Sequence, residues 1–244
     1  MNVRRILRGM ARQAVRCVPP GGLDRLDRLL HADASRHFSQ EGEDIILRRL
    51  FEGKTDGHYV DIGAHHPSRF SNTCLFYQLG WRGINIEPNP DSIRLFREER
   101  KRDINLQIGV SDVAGMLTYI VFDEPALNTF DADLAAEREA ATKYRIVDRI
   151  EVRVERLENL LANHLPSGWN LDFMSVDVEG FDLKVVQSND WTKFRPAYLL
   201  VECLQSSISA VEGEPMHRFL IGHGYSLYAK TVNTFFYRDN AGMS

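Results

Sequence analysis

From residue 58 onward the chain repeats one pattern, a short apolar run that ends in an acidic residue and is followed by an amphipathic stretch. Tyr59-Val60-Asp61-Ile62-Gly63 and Gly83-Ile84-Asn85-Ile86-Glu87-Pro88 are the first two such runs. Ile104 to Val110 ends in Ser111-Asp112, Asp172 to Val178 in Glu179-Gly180, and Ala197 to Val201 in Glu202-Cys203. Helix-length segments separate several of them, one ending at Gly80 and others over 91–100 and 182–191. Buried strands alternating with helices predict βαβ units and a parallel sheet covered on both faces, a doubly wound α/β fold. Gly224 to Ala229 and Val232 to Tyr237 read as a closing hairpin. Ahead of the first strand, Ser39 or Asp44 is placed to cap an amphipathic helix through Ile45, Ile46, Leu47, Leu50 and Phe51. Phe70, Phe76, Tyr77 and Trp81 are assigned to the core by their roughly helical spacing.

Residues 1–36 break the pattern. Arg4, Arg5, Arg8, Arg12 and Arg16 interleave with Ile6, Leu7, Met10 and Val15, and Cys17-Val18-Pro19-Pro20-Gly21-Gly22 stops the run before a short polar helix at Leu23 to Leu30. This basic arm is expected to be loosely ordered or to form a helix packed on the domain, with contact to an anionic membrane surface as the alternative. Residues 37–244 form the second unit. Within it, 123–148 is rich in Ala, Glu, Asp and Arg and reads as an insertion carrying a helix, a candidate lid or substrate loop.

Composition narrows the function. The 244 residues carry a formal charge of −4, so nucleic-acid binding, which needs clustered cations, is not expected. No run approaches the ~20 apolar residues of a membrane span, and the arm lacks the apolar core of a secretory signal. Three separated cysteines, Cys17, Cys74 and Cys203, build neither a disulfide framework nor a zinc site, which points to a cytoplasmic, reducing setting, with membrane contact only through the arm.

Ligands of an open parallel sheet gather at the carboxyl ends of its strands. Those ends carry Asp61, Glu87, Asp112, Asp177, Glu179 and Glu202, together with Gly63, Ala64, Pro88 and Ser111. The first turn has a single glycine where a dinucleotide fingerprint has three, which argues against a nucleotide-dependent, sugar-modifying oxidoreductase. Asp61 would repel a pyrophosphate and attract a cationic head group. Glu87 can accept from two ribose hydroxyls, and Asp112 from the exocyclic amine of adenine. An amino-acid head, a ribose and an adenine without phosphate describe S-adenosylmethionine.

Ser39-Gln40-Glu41-Gly42-Glu43-Asp44, Val60-Asp61-Ile62-Gly63-Ala64-His65-His66-Pro67, Gly83-Ile84-Asn85-Ile86-Glu87-Pro88 and Val176-Asp177-Val178-Glu179-Gly180 resemble the FkbM family of S-adenosylmethionine-dependent methyltransferases, over about residues 37–238. The resemblance implies a seven-stranded, mostly parallel sheet of the class I (Rossmann-like) methyltransferase type with an antiparallel last strand. It also implies O-methylation of a sugar or other small natural-product hydroxyl, and the His65-His66-Pro67 variant is similar to a bacterial, saccharide-associated branch. Gln40, Asp61, Gly63, Ala64, His65, Glu87, Pro88, Ser111, Asp112 and Asp177 are the expected cofactor contacts. Asp177 is the expected base or metal ligand, Glu179 the acceptor-binding carboxylate unless it caps the next helix, and His65 an alternative base. Mg²⁺ is not expected to be required, but its ligands would be Asp177, Glu179 and Glu202. A catalytically degenerate adaptor with the same fold is the non-enzymatic alternative.

Overall fold

The computed structural model describes residues 36–204 and 207–241, so the arm and its short helices lie outside the described residues. From His37 onward the chain runs α1 (Glu43–Leu50), β1 (His58–Ile62), α2 (Cys74–Gln78), β2 (Arg82–Ile86), α3 (Pro90–Glu99), β3 (Ile104–Leu106), β4 (Gly109–Val110), β5 (Gly115–Phe122), α4 (Ala132–Ala141), β6 (Ile146–Glu155), α5 (Leu157–His164), β7 (Phe173–Val176), α6 (Asp182–Gln187), β8 (Tyr198–Glu202), α7 (Pro215–Gly222), β9 (Tyr225–Lys230) and β10 (Thr234–Asp239).

The main sheet has seven strands in the order β3-β2-β1-β7-β8-β10-β9. β3 through β8 pair in parallel, while β10 lies antiparallel between β8 and β9. This is the doubly wound arrangement expected, with an antiparallel last strand. Strand order reverses between β1 and β7, and a crevice opens beyond the carboxyl ends of those two strands.

Strand alternation divides the core. Val60, Ile62, Ile84, Ile86, Met174, Val176, Leu199 and Val201 face helices α5, α6 and α7, whereas Tyr59, Phe173, Leu200 and Phe236 face Leu47 of α1, Leu75 and Phe76 of α2, and Trp81. Asp61 follows Tyr59 by two, and Asp177 and Glu202 continue the parity of Phe173 and Leu200. All three acids therefore project on the α1 side. Because Val176 pairs with Val201, Asp177 and Glu202 leave the sheet side by side.

Several local expectations need correction. The run Ile104–Val110 is two strands, because Gly109 and Val110 leave the main sheet and pair with Val154 and Glu155 of β6. β6 also pairs antiparallel with β5 over Gly115 to Phe122, a ribbon that the apolar runs did not announce. Both ribbon strands are half solvated, so they lack the continuous apolar signature of buried parallel strands. The insertion, with α4 inside it, is the connection between them. Ser39 reaches the first turn of α1, its hydroxyl oxygen accepting from the Asp44 amide at 3.4 Å, but it does not occupy the cap position. Gly42 takes the cap position at φ 89°, and the Asp44 carboxylate instead accepts from the Ser39 hydroxyl at 2.7 Å and the Phe38 amide at 2.7 Å. Phe70 is not core, being 41% exposed.

Candidate functional site

The crevice at the reversal point is a cleft of about 690 Å³ measured to its open mouth. Gly63 makes its floor. It sits at φ 76°, and a Cβ there would fall 1.8 Å from the Asp177 carbonyl oxygen, so only glycine lets the ends of β1 and β7 approach this closely. Gln40, Gly63, His65, Glu87, Pro88, Asp177 and Glu179, all expected at the site, line the wall. Of these, Gln40 is exposed at the rim.

Glu87 ends β2 almost fully buried, and its two oxygens accept from the backbone amides of His65 (2.8 Å) and Asn89 (2.7 Å). Each oxygen keeps a second lone pair. Burial, opposed by those two amides, pushes its carboxyl up to about 7. His65 stands at φ 55°, and burial together with Arg69 and His66 holds its imidazole down at about 4. It is neutral at physiological pH and a poor base, which disfavours it for proton removal.

Asp61 lies just beneath the wall rather than in it. It is 5% exposed, accepts from the Thr73 hydroxyl at 2.7 Å, and is pushed up to about 6 by burial. Ala64 is turned into a small core with Ile93 and Phe96. Ser111 and Asp112 do not line the wall either; the strand excursion that forms β4 presents Ile108, Gly109 and Val110 there, and the Ser111 hydroxyl donates to Asp112 at 3.0 Å.

At the other end, one carboxylate oxygen from each of Asp177, Glu179 and Glu202 lies within 4.8 Å of the others. Asp177 Oδ1 is buried and has no hydrogen-bond partner. Burial, followed by the negative charges of Glu202, Glu179, Asp182 and Asp61, raises the Asp177 carboxyl well above the usual carboxylate range. Burial and Glu179 push Glu202 up to about 9. Glu179 is also raised by burial, but the Arg138 guanidinium donates to it and opposes the rise. Asp182, rather than Glu179, closes the turn before α6, accepting from the amides of Val178 and Gly180 at 3.1 Å each. Glu179, held at φ 55°, is thereby left facing the cleft.

The insertion supplies the remaining wall, Pro125, Ala126, Asn128 and Phe130, with Tyr119 from β5. Three contacts tie it down. Arg69 forks onto Glu124 at 2.8 and 3.0 Å, the Thr129 hydroxyl donates to the Glu179 carbonyl at 2.6 Å, and Arg138 of α4 bonds the Glu179 carboxylate. The sequence marked 123–148 as a substrate loop without singling out these residues. Only the Arg and Glu content of the segment hinted at ion pairs.

The Methyltransferase FkbM domain matches residues 61–227, from the end of β1 into β9. The chain belongs to the FkbM methyltransferase family. This membership decides between the methyltransferase and oxidoreductase readings of the acids at the strand ends. No curated protein matches the chain. Among solved structures, this FkbM methyltransferase is similar to the precorrin-6y C5,15-methyltransferase of Geobacter metallireducens GS-15, at 12% identity over 84% of this chain and 90% of that one, with a TM-score of 0.39. Among the described residues no helix is long and apolar enough to cross a membrane.

Proposed function

We propose that the protein is an S-adenosylmethionine-dependent O-methyltransferase acting on a hydroxyl of a sugar or similar small natural product. The observation that carries the reading is the buried, unpartnered Asp177 oxygen among further carboxylates at the reversal point of a methyltransferase sheet. A carboxylate whose proton affinity is raised by burial and like charges is suited to take a proton from an alcohol.

The residues present fit the family's usual cofactor. Glu87 has a free lone pair on each oxygen for the two ribose hydroxyls, Gly63 removes the side chain that would close the floor, and the carboxylate of Asp61 suits the cationic amino group. S-adenosylmethionine, when bound, supplies a methyl group on a sulfonium that is already a good leaving group. The protein's task is then to orient and to move a proton. Holding the acceptor oxygen in line with the methyl carbon can contribute up to about 7–11 kcal/mol in ideal cases. Asp177 takes the hydroxyl proton, worth about 10²–10⁴ in rate. Glu179, fixed by Arg138, binds the acceptor, and the insertion excludes water. The free thiols of Cys74 and Cys203 suit a reducing, cytoplasmic setting.

Two measurements test the proposal. Calorimetric titration should show binding of S-adenosylhomocysteine and none of NADH; binding of NADH alone would overturn the reading. Incubation with S-adenosylmethionine and a panel of saccharides should add the mass of one methyl group to an acceptor oxygen, at a rate unaffected by EDTA. A product methylated on carbon, or activity that requires added Mg²⁺, would replace the carboxylate-base mechanism.

A further inference from the structure

Arg100 ends α3 and is 2% exposed, the only arginine in the fully buried core among the described residues. A buried guanidinium demands compensation, and the nearest acid does not supply it alone. Asp103 lies 3.6 Å away and already accepts from the Tyr59 hydroxyl (2.6 Å), the Gly83 amide (2.9 Å) and the Asn85 amide group (3.0 Å). Most of the donors of Arg100 turn instead to the loop between β1 and α2. Nε and Nη2 donate to the Pro67 carbonyl at 3.1 and 2.6 Å, Nη2 to the Ser71 hydroxyl at 3.2 Å, and Nη1 to the Thr73 carbonyl at 3.5 Å and the Tyr59 hydroxyl at 3.1 Å.

That loop builds one side of the cleft. It carries His65 and Phe70, both lining the wall and both at positive φ, 55° and 54°, in a region that residues with a side chain avoid unless their surroundings hold them there. It also carries Thr73, whose hydroxyl donates to Asp61. The groups facing Asp61 are Thr73 at the head of α2, Tyr59 on its own strand, Arg100 and Asp103 from the far end of α3, Glu87 ending β2 and Asp177 ending β7. Arg100 is the one cation among these.

We infer that Arg100 is the positioning residue of the cofactor site: it straps the Pro67–Thr73 loop under the cleft wall and places a fixed positive charge behind the Asp61 carboxylate. The inference rests on the reading of the cleft as an S-adenosylmethionine site. Arg100 touches neither cofactor nor acceptor. It acts through the loop and through Asp61, so its removal has two separable consequences. Loss of the strap weakens every ligand of the cleft, charged or not. Loss of the charge lets Asp61 hold its proton to higher pH, which weakens only a cationic ligand.

S-adenosylhomocysteine keeps the ammonium of the amino-acid head and 5′-methylthioadenosine lacks that head, so the ratio of their affinities isolates the second effect. Calorimetry on the full chain between pH 5.5 and 7.5 would follow both ligands for the wild type, Arg100→Met, Arg100→Lys and Thr73→Val, with circular dichroism to establish folding. In the wild type the ratio should fall toward 5′-methylthioadenosine as Asp61 protonates. In Arg100→Met both affinities should drop at least tenfold, and the midpoint of the ratio should rise by about one pH unit. Arg100→Lys, which keeps the charge and loses the fork, should weaken both ligands and leave the midpoint in place. Thr73→Val, which removes a hydrogen bond from Asp61 and leaves the strap, should raise the midpoint with little effect on 5′-methylthioadenosine. Wild-type affinities in Arg100→Met, or a uniform loss with the midpoint unmoved, would overturn the inference. If Arg100→Met does not fold, a moved midpoint in Arg100→Lys or an unmoved one in Thr73→Val does the same. A wild-type protein that binds neither ligand overturns the proposed function itself, and this inference with it.

Discussion

Replacing Glu202 with glutamine removes a charge beside the proposed base while keeping the shape of the side chain. One oxygen of Glu202 lies within 4.8 Å of an Asp177 oxygen, and two unit charges at that separation repel by about 3.5 kcal/mol at an effective dielectric near 20. That corresponds to about 2.5 pH units on the partner if both were fully ionised. The trio shares its protons, however, and Arg138 offsets part of the charge at Glu179, so a displacement of about 1–2 units is expected. The assay is the pH dependence of kcat for methyl transfer. In the wild type the rate should climb with pH over the range in which the raised Asp177 and Glu202 carboxyls ionise. In Glu202→Gln the climb should begin about 1–2 units lower, making the variant the faster enzyme on the rising limb. An unmoved limb would remove Asp177 as the base. A loss of rate restored by added Mg²⁺ would instead make the trio a cation site.

Asp177→Asn should retain affinity for S-adenosylhomocysteine while lowering kcat by about 10²–10⁴, and an unchanged kcat would refute the assignment. Gly63→Ala meets both a left-handed backbone and the Asp177 carbonyl at 1.8 Å. Its expected cost of about 3 kcal/mol or more should appear as a drop in Tm of roughly 10 °C, and a wild-type Tm would contradict the close approach. Glu124→Ala breaks the Arg69 fork on the partly exposed insertion, so Tm should stay within about 2 °C while KM for the acceptor rises; a large loss of stability with unchanged KM would deny the insertion its role. The ligand-free protein should lose stability as pH rises from about 4 to 7. Burial raises Asp61 and Asp182 to about 6 and Glu87 to about 7, so the folded chain binds more protons than the unfolded one in that window. Thermal unfolding between pH 5 and 8 reads this directly, and a rising Tm would refute it.

The parts of the molecule legible in the sequence are those in which one local pattern had one structural meaning. Tyr59 to Ile62, Arg82 to Ile86, Phe173 to Val176 and Tyr198 to Glu202 are short runs dominated by apolar residues because both faces of these strands are covered, and the acids at or just after their ends mark where the cleft opens. The glycine after β1 and the acid after β2 were equally plain. β5 and β6 escaped notice because each is half solvated, so their residues carry the mixed pattern that helices and loops also show. Asp112 and Ser111 were misplaced for a related reason. Ile104 to Val110 has no break in hydrophobicity where the chain leaves one sheet for another, and that departure is decided by pairing with β6, more than forty residues later.

By itself, the sequence of this FkbM methyltransferase determined the layered α/β architecture, the order in which acids meet the ends of the strands, and the family. These rest on periodicity and motif, which a chain carries locally. Tertiary structure alone decided which acids share a space. The pairing of Val176 with Val201 sets Asp177 beside Glu202, an arginine from the insertion crosses to Glu179, and another from the end of α3 lies beneath the loop between β1 and α2. Charge interactions depend on distance through space rather than along the chain, so the proton affinities that make these carboxylates chemically useful exist only once register and crossover are in place.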